Sequence, residues 1–152
     1  MRLTELFLPE TVVTDMPGTG KEPVLRAIVA DLDAKGFIAD APTAAADVLT
    51  REDVMSTGVG HGVAIPHAYT AGVERLVAGF YRIGPPIDFG ALDSLDVDLI
   101  FVILGPPQSR REHIRILAKI SRLLGNADFR DELRRAADTP GVLNVFRRFG
   151  DR

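Results

Sequence analysis

The residues best suited to chemistry lie at the end of a glycine-rich stretch, where Pro66 precedes His67. Imidazole is nucleophilic and largely unprotonated near neutral pH, because its reference pKa is about 6.5. It can therefore accept a phosphoryl group reversibly. Proline fixes its own φ and favours an extended conformation at Ile65, so a stiff segment is expected to deliver His67 at a strand end. The alternative is a structural histidine bonded to a backbone carbonyl.

The glycines before this segment form a candidate anion-binding loop. Gly58, Gly60 and Gly62 stand at alternate positions. Glycine permits backbone conformations that aim several N–H groups at one anion. A tight connection between two elements is the alternative, because most short glycine runs serve that purpose.

Composition restricts the chemistry further. The 152 residues include no cysteine, which excludes disulfides, thiolate metal sites and a cysteine nucleophile in this chain. Three histidines remain as candidates: His61, His67 and His113. His61 and His67 are six residues apart across glycine and proline, which is not a standard metal spacing, and no third ligand is evident. We predict no metal and no cofactor.

Charge and hydropathy narrow the choice of partners. A formal net charge of −3 provides no overall attraction to nucleic acid. Several basic residues surround His113, and a solvated helix face or a docking surface for an acidic protein explains them better than nucleic-acid binding. They are Arg110, Arg111, Arg115, Lys119 and Arg122. No apolar stretch has the length of a membrane span and the N-terminus lacks a signal-peptide pattern, so we expect a cytoplasmic protein without membrane insertion.

Hydrophobic periodicity predicts the elements that must hold these residues. A β-prone run at residues 11–14 predicts a strand, and a helix is expected from Lys21 to a stop at Gly36. A second helix is predicted from Pro42 to about Glu52. The loop before Lys21 resembles a phosphate-binding P-loop but lacks its first glycine and its serine or threonine, so a plain loop is favoured.

The second half of the chain is predicted to contain three strands and then three helices. Three strand-like segments follow, at residues 63–66, 76–83 and 97–104. A regular helix is predicted over about 109–124, and two more over 128–137 and from Thr139 to the chain end. The sequence thus predicts an α/β fold in one domain, residues 1–152: three layers, with a mixed β-sheet flanked by helices on both faces. His113 lies on the apolar stripe of its helix, which by itself favours a core or rim histidine.

Together these segments resemble the fructose/mannitol-type enzyme IIA domains of the bacterial phosphotransferase system, a family that includes the nitrogen-regulatory IIA proteins. The resemblance covers nearly the whole chain. The matching segments are Leu49-Thr50-Arg51-Glu52, Ser56-Thr57-Gly58-Val59-Gly60, Val63-Ala64-Ile65-Pro66-His67, Pro86-Ile87-Asp88-Phe89 with Ala91 and Asp93, Val97-Asp98-Leu99-Ile100-Phe101, Glu112-His113-Ile114 and Leu117-Ala118-Lys119-Ile120.

The resemblance implies a role for each candidate. His67 would receive a phosphoryl group from the phosphohistidine of an HPr-like carrier and pass it onward. Arg51 would neutralise charge on the phosphoryl oxygens, and His113 would hydrogen-bond them. The implied phosphoryl loop comprises Ser56, Thr57, Gly58, Gly60, His61 and Gly62. The alternatives are a solvated helix-end arginine for Arg51 and a solvent-exposed polar residue for His61, and for His61 we favour the alternative.

One segment departs from the family pattern. Asp93-Ser94-Leu95-Asp96-Val97 replaces an Asp-Gly-x-Pro-Val turn, which affects local loop shape and partner choice. The predicted function is a phosphohistidine carrier that hands its phosphoryl group to a separate IIB protein in sugar uptake. The Gly-His-Gly and Glu-His-Ile segments favour the fructose type. The alternatives are a nitrogen-type regulatory IIA, which binds target proteins according to its phosphorylation state, and a binding module without phosphotransfer.

Overall fold

The computed structural model describes residues 1–151, so the predicted domain boundary at Arg152 lies one residue outside the described part. The helices are α1 (Leu3–Leu6), α2 (Lys21–Ala34), α3 (Ala41–Val54), α4 (Arg110–Leu124), α5 (Ala127–Arg135) and α6 (Thr139–Gly150). The strands are β1 (Val12–Pro17), β2 (Gly58–Gly60), β3 (Val63–Ala64), β4 (His67–Tyr69), β5 (Val77–Ile87) and β6 (Val97–Gly105).

The strands of the described part form one mixed sheet in the order β1-β5-β6-β3-β2, and β4 also pairs with β6. Strand β5 runs parallel to β1 and antiparallel to β6. Strands β3 and β4 both run parallel to β6, and β2 is antiparallel to β3. The chain therefore passes from β3 to β4 along the same side of β6.

Helices cover both faces of this sheet, which explains why β6 is apolar along almost its whole length. Successive side chains of a strand point to opposite faces. Tyr81 and Ile100 thus pack into a core with α2 and α3, whereas Phe80 and Phe101 pack into a second core with α1, α4, α5 and α6. The predicted three-layer α/β fold is confirmed.

The predicted strand over residues 63–66 is shorter in the structure, where β3 ends at Ala64 and a separate strand, β4, begins at His67. Pro66 lies between them and has no N–H group to donate to β6, although its carbonyl still accepts a bond from the Ile103 N–H. The interruption leaves Ile65 and Pro66 as a short connector, and His67 begins β4. The sequence-based expectation puts His67 at the end of a strand, whereas the structure has it at the start of the next one.

The glycine-rich stretch differs from the sequence-based expectation of an anion-binding loop. It forms a β-hairpin of β2 and β3. Strand β2 is not predicted from the sequence, because glycine is rare in strands. Gly60, His61 and Gly62 all have positive φ, which glycine tolerates and which makes the tight hairpin turn. The alternative interpretation, a tight connection, describes this segment better.

Candidate phosphoryl-transfer site

The structure brings together the two histidines that the sequence places 46 positions apart, numbered 67 and 113. His67 lies opposite Ile103 in the sheet, and His113 faces inward from α4. Their ring centroids are 5.7 Å apart. Tyr69, two residues beyond His67, lies against the ring of His113 at a centroid distance of 4.4 Å.

A hydrogen bond to the backbone determines which nitrogen of His67 can react. Nδ1 of His67 lies 2.7 Å from the carbonyl oxygen of Ile65. A carbonyl oxygen only accepts, so Nδ1 must donate, and the neutral ring carries its proton there. The lone pair is then on Nε2, which becomes the nucleophilic atom. The structural role that the sequence left open is therefore present, and it serves to orient the ring.

The pKa of His67 lies below the usual histidine value. Burial of the ring is the largest cause, and the bond to Ile65 opposes it. Of the nearby charges, Arg51 lowers this pKa and Glu52 raises it. Because the pKa is lowered, the ring is mostly neutral at pH 7, which is the state that a nucleophile requires.

His113 is a buried polar side chain without a polar partner. It is 1% exposed, and neither ring nitrogen has a hydrogen bond within residues 1–151. Burial, and secondarily the charge of His67, lowers the pKa of His113 to about 4. A buried N–H group without a partner costs stability, so such a group commonly has a functional reason. Beside the nucleophilic ring, it can donate to an oxygen of a group attached to His67.

Arg51 lies in the last turn of α3. One of its N–H groups donates to the carbonyl of Met55 over 3.1 Å, so the side chain is tied to the end of its own helix. A guanidinium has five N–H donors, which leaves others for an anion. Arg51 is near enough to lower the pKa of His67, so its charge acts on this ring as well as on the helix end.

Three of the predicted loop residues lie beside the connector that carries His67. The carbonyl of Thr57 accepts a bond from the Ile65 N–H. Ser56 donates its hydroxyl to the carbonyl of Phe89 and accepts a bond from the Gly58 N–H. Ser56, Thr57 and Gly58 therefore form the wall next to the connector, with their polar groups engaged by the protein.

The other three predicted loop residues, Gly60, His61 and Gly62, lie at the far end of the hairpin. The Gly62 carbonyl accepts bonds from the N–H groups that begin β6, at residues 98 and 99, whereas His67 pairs with Ile103. Four strand residues separate these positions by about 13 Å. Gly60, His61 and Gly62 thus lie along β6 away from His67, and their contact with a phosphoryl group stays a prediction.

Local bonds hold this hairpin end. The His61 N–H donates to the Asp93 carboxylate over 2.9 Å, and Arg134 donates to the His61 carbonyl. Arg134 also forms an ion pair with Asp98 at 2.9 Å. The side chain of His61 is exposed, as the favoured alternative expects. Asp93, in the segment that departs from the family pattern, thus stabilises the hairpin turn.

Glu52, to which no role is assigned from the sequence, is only 5% exposed. Its carboxylate accepts bonds from both the N–H and the hydroxyl of Thr57, each 2.7 Å long, and pairs with Lys21 at 3.0 Å. One pattern could have revealed it. Ala44, Val48 and Glu52 follow one another at four-residue intervals on the buried stripe of α3, and a charged residue on such a stripe needs a partner.

Four exposed apolar side chains lie close in sequence to the site residues. Each follows a site residue closely in sequence: Val54 and Met55 after Arg51, Tyr69 after His67, and Ile114 after His113. Their exposed fractions are 79%, 69%, 42% and 53% in that order. Apolar groups that remain in water around a reactive pair are typical of a surface that meets another macromolecule.

Fold and site together define an α/β domain in which an oriented imidazole lies beside a second histidine and near an arginine. The family model described as phosphoenolpyruvate-dependent sugar phosphotransferase system, EIIA 2, matches residues 5–148, and the chain belongs to this family. Within residues 1–151, no helix is both long and apolar enough to cross a bilayer.

Three relatives illustrate the range of the family. A nitrogen regulatory protein of Pseudomonas aeruginosa is 38% identical over 95% of this chain and 94% of its own. The fructose-specific EIIABC component of Bacillus subtilis is 31% identical over 95% of this chain but only 23% of its own. The crystal structure of the nitrogen regulatory protein IIA-Ntr of Neisseria meningitidis superposes with a TM-score of 0.83 at 27% identity, covering 95% of this chain and 98% of that one.

Proposed function

We propose that Nε2 of His67 accepts a phosphoryl group from the phosphohistidine of an HPr-like carrier and later releases it to an acceptor. The observation that carries this proposal is the bond between Nδ1 and the Ile65 carbonyl, which leaves the lone pair on Nε2. The lowered pKa of His67 supports the same step, because the ring is unprotonated at neutral pH.

The neighbouring side chains suit the transferred group. Nε2 attacks phosphorus as the bond from phosphorus to the donor's imidazole breaks, and the donor nitrogen keeps the electron pair. Arg51 offers a fixed positive charge to the oxygens, and His113 offers a buried N–H. No metal or cofactor is part of the proposal, because the donor is already a high-energy phosphohistidine and only positioning and charge neutralisation remain.

Within this chemistry, a regulatory role is the better supported one. The nitrogen regulatory relative is more similar to this chain than the fructose-specific one, at 38% against 31% identity, and it matches over nearly its whole length. The Gly-His-Gly segment, which favours the fructose type in the sequence, lies about 13 Å from His67 along β6 and carries less weight. We therefore place the sugar-uptake role, with a separate IIB acceptor, second.

A regulatory protein of this kind would act through its surface. Phosphorylation of His67 adds about two negative charges to a site whose neighbours in sequence include exposed apolar side chains, and this changes which partner can bind there. HPr-like donors and the regulatory target would share this surface in turn. The proposal places these encounters in the cytoplasm, in keeping with the expectation from the sequence.

Phosphorylation of the purified protein tests the proposal. Incubation with phosphoenolpyruvate, enzyme I and HPr should give one acid-labile, base-stable phosphate per chain, and His67→Ala should abolish it. An unlabelled wild-type protein with active donors would refute phosphotransfer and favour the binding module. Adding a fructose-type IIB protein separates the two roles: the label should stay on His67 in a regulatory protein and move to the IIB cysteine in a transport protein.

A further inference from the structure

Glu52 is the one carboxylate of the described residues that is almost fully buried, and both of its oxygens have polar partners. Oε1 accepts the Thr57 N–H and pairs with Lys21, while Oε2 accepts the Thr57 hydroxyl. Two bonds from a single residue fix both the backbone and the side chain of Thr57. Bonds to a buried charged acceptor are stronger than neutral ones, so this contact resists displacement.

Thr57 passes this restraint to the nucleophile through two further bonds. Its carbonyl accepts the Ile65 N–H at 3.0 Å, and the carbonyl of Ile65 accepts Nδ1 of His67 at 2.7 Å. The N–H and C=O of one residue are joined through its Cα, so a shift of Thr57 moves the oxygen that orients the ring. A continuous path of hydrogen bonds therefore runs from Glu52 to His67.

We propose that Glu52 is a positioning residue for His67: by clamping Thr57 it fixes the Ile65 carbonyl, and so holds the proton on Nδ1 and aims Nε2 at the incoming phosphorus. This role rests on the proposed phosphoryl transfer at His67. Glu52 touches no reacting atom. Its effect on the transfer step is a matter of geometry, because misplacing a nucleophile by about 1 Å costs as much as a hundredfold in rate.

The positive charge of Lys21 reduces the repulsion that the buried carboxylate of Glu52 would exert on a phosphoryl group. Its ammonium also donates to the Phe89 carbonyl at 3.1 Å and lies 4.7 Å above the Phe89 ring, which holds it in place at the start of α2. The charge of Glu52 is thus offset by Lys21. The charge of Arg51, which has no carboxylate partner among the described residues, remains for the phosphoryl group.

Paired substitutions at Thr57 test the clamp. Thr57→Val removes the hydroxyl bond to Glu52 at nearly constant volume, and Thr57→Ser keeps it. We expect Thr57→Val to lower the single-turnover phosphorylation rate at saturating HPr by about tenfold to a hundredfold. The HPr concentration for half-maximal rate should be unchanged, since the docking surface is untouched, and Thr57→Ser should recover most of the rate.

A matched control separates positioning from loss of stability. Thr139→Val also removes one threonine hydroxyl bond, the 2.8 Å bond to the Val12 carbonyl, at the start of α6. It should lower the melting temperature and leave the phosphorylation rate unchanged. If Thr57→Val behaves like Thr139→Val, losing stability at full rate, the inference is refuted.

The ring tautomer provides a readout that needs no phosphoryl donor. Nitrogen-15 NMR of the histidine rings at pH 7.5 should find the proton of His67 on Nδ1 in the wild-type protein and in Thr57→Ser. The fraction of the Nε2-protonated form should increase in Thr57→Val and in Glu52→Gln. Wild-type tautomers in both altered proteins would overturn the inference. If the wild-type protein is never phosphorylated, the proposed function is refuted instead. The tautomer measurement would still show whether Glu52 positions the ring of His67.

Discussion

Replacing His113 by leucine should change how the stability of this protein depends on pH. In the folded protein, burial lowers the pKa of His113 to about 4, against an ordinary value of 6.5. Between these values the unfolded chain binds a proton on this residue and the folded protein does not. Lowering the pH therefore favours the unfolded state, and the wild-type protein should lose stability as the pH falls from about 6.5 towards 4.

The size of the effect follows from the two pKa values. Going from pH 7 to pH 5, the preferential protonation of the unfolded chain at His113 destabilises the folded protein by about 2 kcal/mol. His67, whose pKa is also lowered, acts in the same direction and remains in the variant. Leucine has a similar volume to histidine and binds no proton. The loss between pH 7 and pH 5 should thus be about 2 kcal/mol smaller in His113→Leu.

Urea denaturation of both proteins at pH 7, 6 and 5 measures this difference. Any packing defect caused by leucine affects all three pH values alike, so only the change with pH is informative. NMR titration of the His113 ring in the wild-type protein is an independent check. Equal losses of stability in the two proteins, or a ring that titrates near pH 6.5, would refute the argument that His113 is buried in its neutral form without a partner.

Three further predictions concern the same fold and site. Arg51→Lys should slow single-turnover phosphorylation at saturating HPr by about tenfold to a hundredfold, because a single ammonium cannot replace the guanidinium fork; a rate near that of the wild type would remove Arg51 from the site. As the pH falls from 8, the phosphorylation rate should decrease with a midpoint below 6.5, because the pKa of His67 is lowered; a midpoint at or above 6.5 in rapid-quench measurements would contradict this. Gly62→Ala should destabilise the protein by about 1–3 kcal/mol in urea without slowing phosphorylation, since φ is +78° and a Cβ would lie 2.6 Å from Arg134. Gly36→Ala, with φ +87° and no atom within 4 Å, should cost less, and an equal cost would exclude the clash.

Much of the fold could be predicted because hydrophobic periodicity is a local property. The helix stripes of α2 and α4 and the apolar run of β6 each identify an element without knowledge of the rest of the chain. Very short elements leave weaker patterns. Strand β2 has only three residues, two of them glycine, and exists because β3 pairs with it.

Sequence by itself determined the chemistry available to this protein. It contains a histidine behind a proline, a second histidine on a regular helix, an arginine at a helix end and no cysteine, and the functional group that a side chain carries depends on residue type alone. These residues, in the order that the family has, were enough to predict phosphoryl transfer at His67.

Only the tertiary structure decided which of these residues act together. The register of β3 and β4 against β6 separates Gly62 from His67, although they are five positions apart in the chain. The pairing of β4 with β6 brings His67 next to α4, so that its ring lies 5.7 Å from the ring of His113. The burial of His113 and the distance between the two rings arise from contacts between distant segments, so they are properties of the packed chain.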